Sequence, residues 1–124
     1  FELLVRIKSR SKNSAAIFIG GGVPKDFIQL SAVCVDLLLS GDYIKSRPHK
    51  YAIQITVDSP HWGGLSGATL EEGKSWGKEM KEGMNVQCFC DATVALPLLA
   101  HSLHELIKQP RKGPDLSWVF SPVT

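Results

Sequence analysis

The sequence predicts an α/β chain built on a parallel sheet. Three β-rich runs, "AAIFIG", "YAIQIT" and "NVQCFC", alternate with longer stretches that carry helix signals. Strands separated by helices of that length form right-handed βαβ units. Each strand is followed by a segment fit for binding, "GGGVPK", "TVDSPHWGGLSG" and "DAT" in turn. In open sheets of this kind ligands gather at the carboxyl ends of the strands. Three strands make a thin sheet, so the unit is expected to belong to a larger one or to need a partner over its edges.

Each element has its own justification. "FELLVRIKS" places apolar residues at 1, 3, 4 and 7, as at the end of a helix. "AAIFIG" is a buried strand closing at Gly20. "PKDFIQLSAVCVDLLLSG" has Pro24 at a first helical position and Gly41 just past the last turn. "GDYIKSRPHK" is a polar loop before the second strand, and "VDSPHWGGLSGA" holds too much Gly, Ser and Pro for a regular element. Thr69 with Glu72 three residues on forms a capping box. The helix it opens is expected to continue through "GKSWGK". "NVQCFC" is the third strand, ended by Asp91. "VALPLLAHSLHELIK" is a helix with an irregularity at Pro97, and "QPRKGPDLSWVFSPVT" is an irregular tail.

At 124 residues the chain is a single domain or a fragment of one. Its 44% hydrophobic residues suffice for a core, and 21% charged residues argue against disorder. A net charge of +2 is too small to point to nucleic acid. There is no basic amphipathic helix for a lipid surface, and no apolar run near the ~20 residues of a membrane span. The chain begins with Phe and is read as processed or partial. Cys34, Cys88 and Cys90 are odd in number, so they are read as reduced, packed thiols in a cytoplasmic protein. His61, His101 and His104 lack further ligands at motif spacing, so no metal is expected.

"GGGVPKDF" could bring a phosphate to glycine backbone and a helix N-terminus. Its spacing is not G-x-G-x-x-G, however, and a tight strand-to-helix turn explains it equally. Asp91, at a strand end, either accepts from ribose hydroxyls or caps the next helix. "GATLEEGKSWGKEM" is the most unusual stretch. On one helix, Gly73 and Gly77 share a face and allow close packing, at ~1 kcal/mol each relative to Ala. Lys74 and Lys78, also four apart, would set like charges side by side. A neighbouring cation and partial burial favour a neutral amine, which is the nucleophile that imine chemistry needs. The alternative is two solvated lysines on a helix packed by its glycines.

Taken together, "IFIGGGVPKDF", "YAIQIT", "GGLSGATLEEGKSWGK" and "CDATVALPLL" resemble the deoxyhypusine synthase family, in the same order over about residues 13 to 104. The resemblance implies that residues 1–124 are a C-terminal part of a Rossmann-like NAD-binding domain. It also implies tetramers with active sites at dimer interfaces. Members of the family use NAD to oxidise spermidine, hold its aminobutyl group as an imine on a lysine, and pass it to a lysine of the hypusine-bearing translation factor. Related enzymes pass it to a small polyamine and make homospermidine.

By that resemblance Lys78 is the imine-forming lysine, and Glu72 and Trp76 line the polyamine channel. Gly63 is a loop glycine at the same pocket. Gly20, Gly21 and Gly22 form the cofactor turn, Asp91 and Ala92 a cofactor-contacting pair, and Val57 and Asp58 lie where the family also touches NAD. There are two departures. Asp26 stands where eukaryotic members carry a histidine proposed as acid/base, and Leu65 where they carry an aspartate for a substrate amine. "GGLSG" and "GGGVPK" are closer to the prokaryotic branch. The departures favour a rival reading, a non-catalytic regulatory paralogue that binds family partners; Lys78, Glu72 and Trp76 oppose it. The blocks cover only the C-terminal third or so of a family member. The chain is therefore expected to need the remaining part of the enzyme, or a homo-oligomer, to be active.

Overall fold

The computed structural model describes residues 1–38, 47–108 and 112–121. Strands β1 (Ala15–Ile19), β2 (His49–Thr56) and β3 (Glu79–Phe89) form one sheet in the order β1-β2-β3, with both neighbouring pairs parallel. Helix α1 (Glu2–Arg10) precedes the sheet, α2 (Val23–Leu38) joins β1 to β2, α3 (Leu70–Ser75) joins β2 to β3, and α4 (Ala92–Leu106) follows. The alternation of runs therefore predicts the α/β class correctly. Pro24 falls in the first turn of α2, where its missing N–H goes unnoticed. The expected stop at Gly41 lies outside the described residues.

One face of the sheet carries the core. Ala16, Phe18 and Ala52 pack with Leu70 and the half-buried Ile28. The other face carries a row of register neighbours, Ile17, Ile53 and Val86, and Ile17 is 68% exposed. Helix α4 likewise has no buried residue, and Leu98 and Leu103 are open to solvent. Parallel sheets are normally covered on both faces. Among the described residues this second face largely lacks that cover.

Three elements differ from expectation. β3 begins at Glu79, well before "NVQCFC". Its register slips between the pairs His49–Glu79 and Tyr51–Met84, and Gly83 lies in the slip. A Cβ there would stand 2.6 Å from the Lys50 carbonyl oxygen. The bulge breaks the period-two pattern, which is why the polar start of the strand carries no strand signal. Secondly, α4 starts at Ala92, two residues before "VALPLL", and holds Pro97 inside it as expected. Thirdly, the tail docks: Ser117–Phe120 forms a 3-10 turn with Val119 buried, and Arg6 donates to the Val119 and Ser121 carbonyls.

A buried polar cluster lies between α1 and the sheet. Lys8 donates to Ser14 Oγ, and His49 Nδ1 is 3.3 Å from the Lys8 ammonium and 3.1 Å from Ser14 Oγ. Burial, reinforced by the Lys8 charge, pushes His49 down to about 4, and burial pushes Lys8 down to about 8. On acidification the unfolded His49 takes up a proton near its ordinary value, while the folded one does not until about 4. Its contribution is thus complete above pH ~6.5 and drains as pH falls toward 4, by about 3 kcal/mol at most. Urea unfolding at pH 7 and pH 4.5 should show this loss, and His49→Asn should lose less between the same two points. Equal losses in both proteins would remove His49 as the cause.

Candidate active site

The site is built at the carboxyl ends of β1 and β2 and around the end of α3. Thr69 caps α3, its Oγ1 accepting from the Glu72 N–H at 3.0 Å, as the capping box predicts. The helix is then only six residues long. It closes with a paired glycine stop: the Gly77 N–H donates to the Lys74 carbonyl at 3.2 Å, and the Lys78 N–H to the Gly73 carbonyl at 3.0 Å. Gly77 sits at φ +74, in the left-handed region that this stop requires.

This corrects the reading of "GKSWGK" as continuous helix. Lys74 and Lys78 do not share a helical face. Lys74 pairs with Glu71 at 2.7 Å, and Lys78 leaves the helix to pair with Asp26 of α2. Nor do the two glycines serve one purpose. Gly77 turns the chain, whereas Gly73 makes room: a Cβ there would stand 1.9 Å from a carboxylate oxygen of Glu79. Local spacing could reveal the glycine stop, but not the long-range partners that decide where each lysine points.

A cavity of about 340 Å³ opens beside Lys78. Asp26, Glu72, Trp76 and Lys78 line it, and Lys25 and Leu65 are also in its wall. The Lys78 side chain is 16% exposed and that of Asp26 24%, so the pair is largely withdrawn from solvent. Trp76 stands open at the rim. A second cavity shares Leu65, Ala68 and Glu72 with the first and includes Gly63. Lys78, Glu72 and Trp76 are therefore brought together, and Gly63 lies next door across Glu72.

The glycine turn is adjacent. Gly21 helps line a smaller cavity with Pro24 and Lys25, and Lys25 also belongs to the Lys78 cavity. The space where Cβ atoms would stand at Gly20 and Gly22 is open for 4 Å. Asp58 accepts from Ser66 Oγ, tying the end of β2 to the Gly/Ser loop. Asp91 caps α4, accepting from the Thr93 N–H at 2.8 Å and hydroxyl at 2.7 Å; these bonds hold its carboxyl below the usual range. Ala92 is the first residue of that helix. Asp91 and Ala92 lie apart from the walls of the three cavities.

Sequence reasoning missed the polar interior beneath the site. Lys25 is 3% exposed and donates to Gln54 Oε1 at 2.9 Å and to the Ala68 carbonyl. Gln54, fully buried, donates in turn to the Gly20 and Ser66 carbonyls, binding the glycine turn to the Gly/Ser loop. Burial holds the Lys25 amine below its ordinary value; Glu79 opposes this and Lys78 adds to it. The cation that faces Lys78 is thus Lys25 rather than Lys74. One signal was available, a lone glutamine on the core-facing side of the strand "YAIQIT".

The fold and the site together define an α/β protein with a parallel sheet and a lysine–carboxylate pair in a cavity walled by α2, the loop after β2, and α3 with the residues that lead from it into β3. A family description of deoxyhypusine synthase matches residues 1–103. The chain belongs to the deoxyhypusine synthase family. It is 47% identical to a probable deoxyhypusine synthase 2 of Methanosarcina mazei, over 93% of this chain and 32% of that protein. It is 50% identical to a probable deoxyhypusine synthase 2 of Archaeoglobus fulgidus, over 87% of this chain and 35% of that protein. A deoxyhypusine synthase-like protein of Elusimicrobium minutum is 37% identical over 91% of this chain and 29% of its own length. The chain thus spans about a third of the curated relatives it matches.

Proposed function

We propose that this chain supplies the lysine-bearing part of an NAD-dependent transferase, which moves the aminobutyl group of spermidine through an imine on Lys78 to an acceptor amine. The acceptor in this reading is a lysine of the hypusine-bearing translation factor, in keeping with the names of the archaeal relatives. Residues 1–124 then form a C-terminal part of a Rossmann-like NAD-binding domain, completed by the rest of a family-length protein and by assembly into a tetramer. The bare second face of the sheet supports that completion. A cytoplasmic location fits the three free cysteines, and no described helix is long and apolar enough to cross a membrane.

The observation that carries the proposal is the withdrawn Lys78–Asp26 pair inside a cavity that also holds Glu72 and Trp76. An amine attacks only when neutral, so Lys78 must first give up a proton, and the Asp26 carboxylate is placed to accept it. Asp26 thereby stands in for the histidine of eukaryotic members. Glu72 is suited to hold a terminal ammonium, with Trp76 covering the methylene chain. Loss of the aminopropyl amine from oxidised spermidine leaves the aminobutyl group on Lys78, and the acceptor amine displaces Lys78 in turn.

The glycine turn fits a dinucleotide, because the space beside Gly20 and Gly22 is open and the chain enters α2 directly after it. Asp91 and Ala92 at the start of α4 are the further contacts proposed for it. NAD, if held there, would accept the hydride removed from the amine and return it to the imine formed on the acceptor, so that the transfer is redox-neutral overall.

The test is borohydride reduction of a family-length protein carrying this chain, with spermidine and NAD, followed by peptide mass spectrometry. An aminobutyl adduct on Lys78 is expected; its absence defeats the proposal. Product analysis with a protein lysine and with putrescine then reads the acceptor. Product from putrescine alone would assign the homospermidine type of reaction.

A further inference from the structure

One side chain beneath the site makes more connections than a place in the core requires. Gln54, on the core face of β2, is fully buried and stands between Phe18 of β1 and Gln87 of β3 in the register. Its amide offers N–H donors on one side and oxygen lone pairs on the other. Both sides are in use. Nε2 donates to the Gly20 carbonyl at 3.1 Å and to the Ser66 carbonyl at 2.9 Å. Oε1 accepts from the Lys25 ammonium at 2.9 Å and from Gln87 Nε2 at 3.1 Å. The orientation is unambiguous, because a carbonyl can only accept and an ammonium can only donate. Turned over, the amide would set N–H against the ammonium and oxygen against carbonyls.

The two halves of this amide reach different places. The donor half draws the glycine turn onto the Gly/Ser loop, where a Cβ on Gly21 would stand 2.6 Å from Ser66 Cα. The acceptor half reaches the walls of the Lys78 cavity. Lys25 lines that cavity, and Asp26, the next residue of α2, pairs with Lys78. Gln87 carries the connection further, its Oε1 accepting from the Leu70 N–H at 3.4 Å. Leu70 is the buried first residue of α3, so its N–H has no carbonyl within the helix to meet. α3 in turn carries Glu72, with Trp76 at its end. The helices that bring Asp26 and Glu72 to the cavity are thus both anchored to Gln54 Oε1, one directly and one through Gln87. Gln54 itself lies in the wall of none of the three cavities.

We propose that Gln54 is a positioning residue whose amide serves two sites at once. Its N–H groups hold the glycine turn against the loop for the cofactor, and its oxygen sets the spacing of the walls around Lys78. The naming of the two ligands rests on the transferase reading; the bonds do not. Each half can be removed without the other. Gln54→Glu keeps an oxygen for Lys25 and Gln87 but presents no donor to the carbonyls of Gly20 and Ser66. Gln87→Leu leaves the turn bonded and frees the start of α3.

The experiment compares Michaelis constants for NAD and for spermidine in the family-length protein. Having lost the donor bonds, Gln54→Glu should raise the constant for NAD about tenfold and that for spermidine much less. Gln87→Leu should raise the constant for spermidine and leave that for NAD within about twofold of the parent. A purely structural role would lower the unfolding midpoint and raise both constants together in both variants. If Gln54→Glu does not fold, Gln54→Met, which loses every bond at similar volume, should raise both constants while Gln87→Leu still raises one. Amide hydrogen exchange without ligands is the second readout. Gln54→Glu should speed exchange in residues 20–22 and 63–68, and Gln87→Leu in residues 70–75 alone. Constants that do not divide in this way overturn the proposal, as does exchange that spreads alike over both segments. The expected exchange pattern in a protein with no turnover would leave Gln54 in both roles and defeat the transferase reading instead.

Discussion

Lys78→Arg is expected to leave no borohydride-trapped adduct in the family-length protein, at any pH where the fold survives. A guanidinium keeps its proton throughout that range and cannot form the imine. The substitution preserves the positive charge, and so preserves an ion pair with Asp26 across the α2–β3 junction. Loss of trapping with an unchanged unfolding midpoint would therefore separate chemistry from folding. Lys74→Arg serves as the control, since Lys74 pairs with Glu71 on its own helix. It should trap like the parent. An adduct that persists in Lys78→Arg would place the reactive amine elsewhere, with Lys25 the first residue to examine.

Gly21→Ala should cost about 1–3 kcal/mol of stability and abolish activity with it. The added Cβ would stand 2.6 Å from Ser66 Cα and 2.9 Å from its carbonyl oxygen. Both are backbone atoms, so no rotamer change relieves the clash. The glycine turn and the Gly/Ser loop are also held together by Gln54, at 3.1 Å to the Gly20 carbonyl and 2.9 Å to that of Ser66. Pushing them apart breaks bonds that a buried amide cannot remake with water. Urea unfolding reads the stability loss directly. An unchanged midpoint would mean that turn and loop move independently, and that Gln54 does not join them in solution.

The sequence was most legible where the physics is local. The N-cap at Thr69, the apolar run "AAIFIG", which is a strand although buried on one side only, and the glycine turn before α2 each depend on residues within one turn or one strand. The misreading of α3 has the same origin. Spacing of four residues suggested one helical face, but a left-handed Gly77 ends the helix before the second lysine. Whether Gly77 continues a helix or stops it is decided by bonds to Gly73 and Lys74 together with the pull of Asp26 from α2. The start of β3 was hidden by a bulge, and the polar interior by its reliance on partners distant in sequence. Lys25 meets Gln54 across 29 residues, and Gln29 meets Glu79 across 50. Lys78, Glu72 and Trp76 line one cavity with residues of α2 and of the loop after β2, a juxtaposition that no local pattern in the residues shows.

The parallel pairing of all three strands bears on when this site comes into being. Among the described residues no hairpin is present to nucleate the sheet, and each strand pairing must wait for a crossover to close. Lys78 finds Asp26, 52 positions earlier in the chain, only after the segment between them has been arranged. Until then the cavity that Lys78 shares with Glu72 and Trp76 does not exist. Under the proposed chemistry the order of folding thus acts as a safeguard: the amine meets a substrate only once the assembled sheet has supplied walls to choose it.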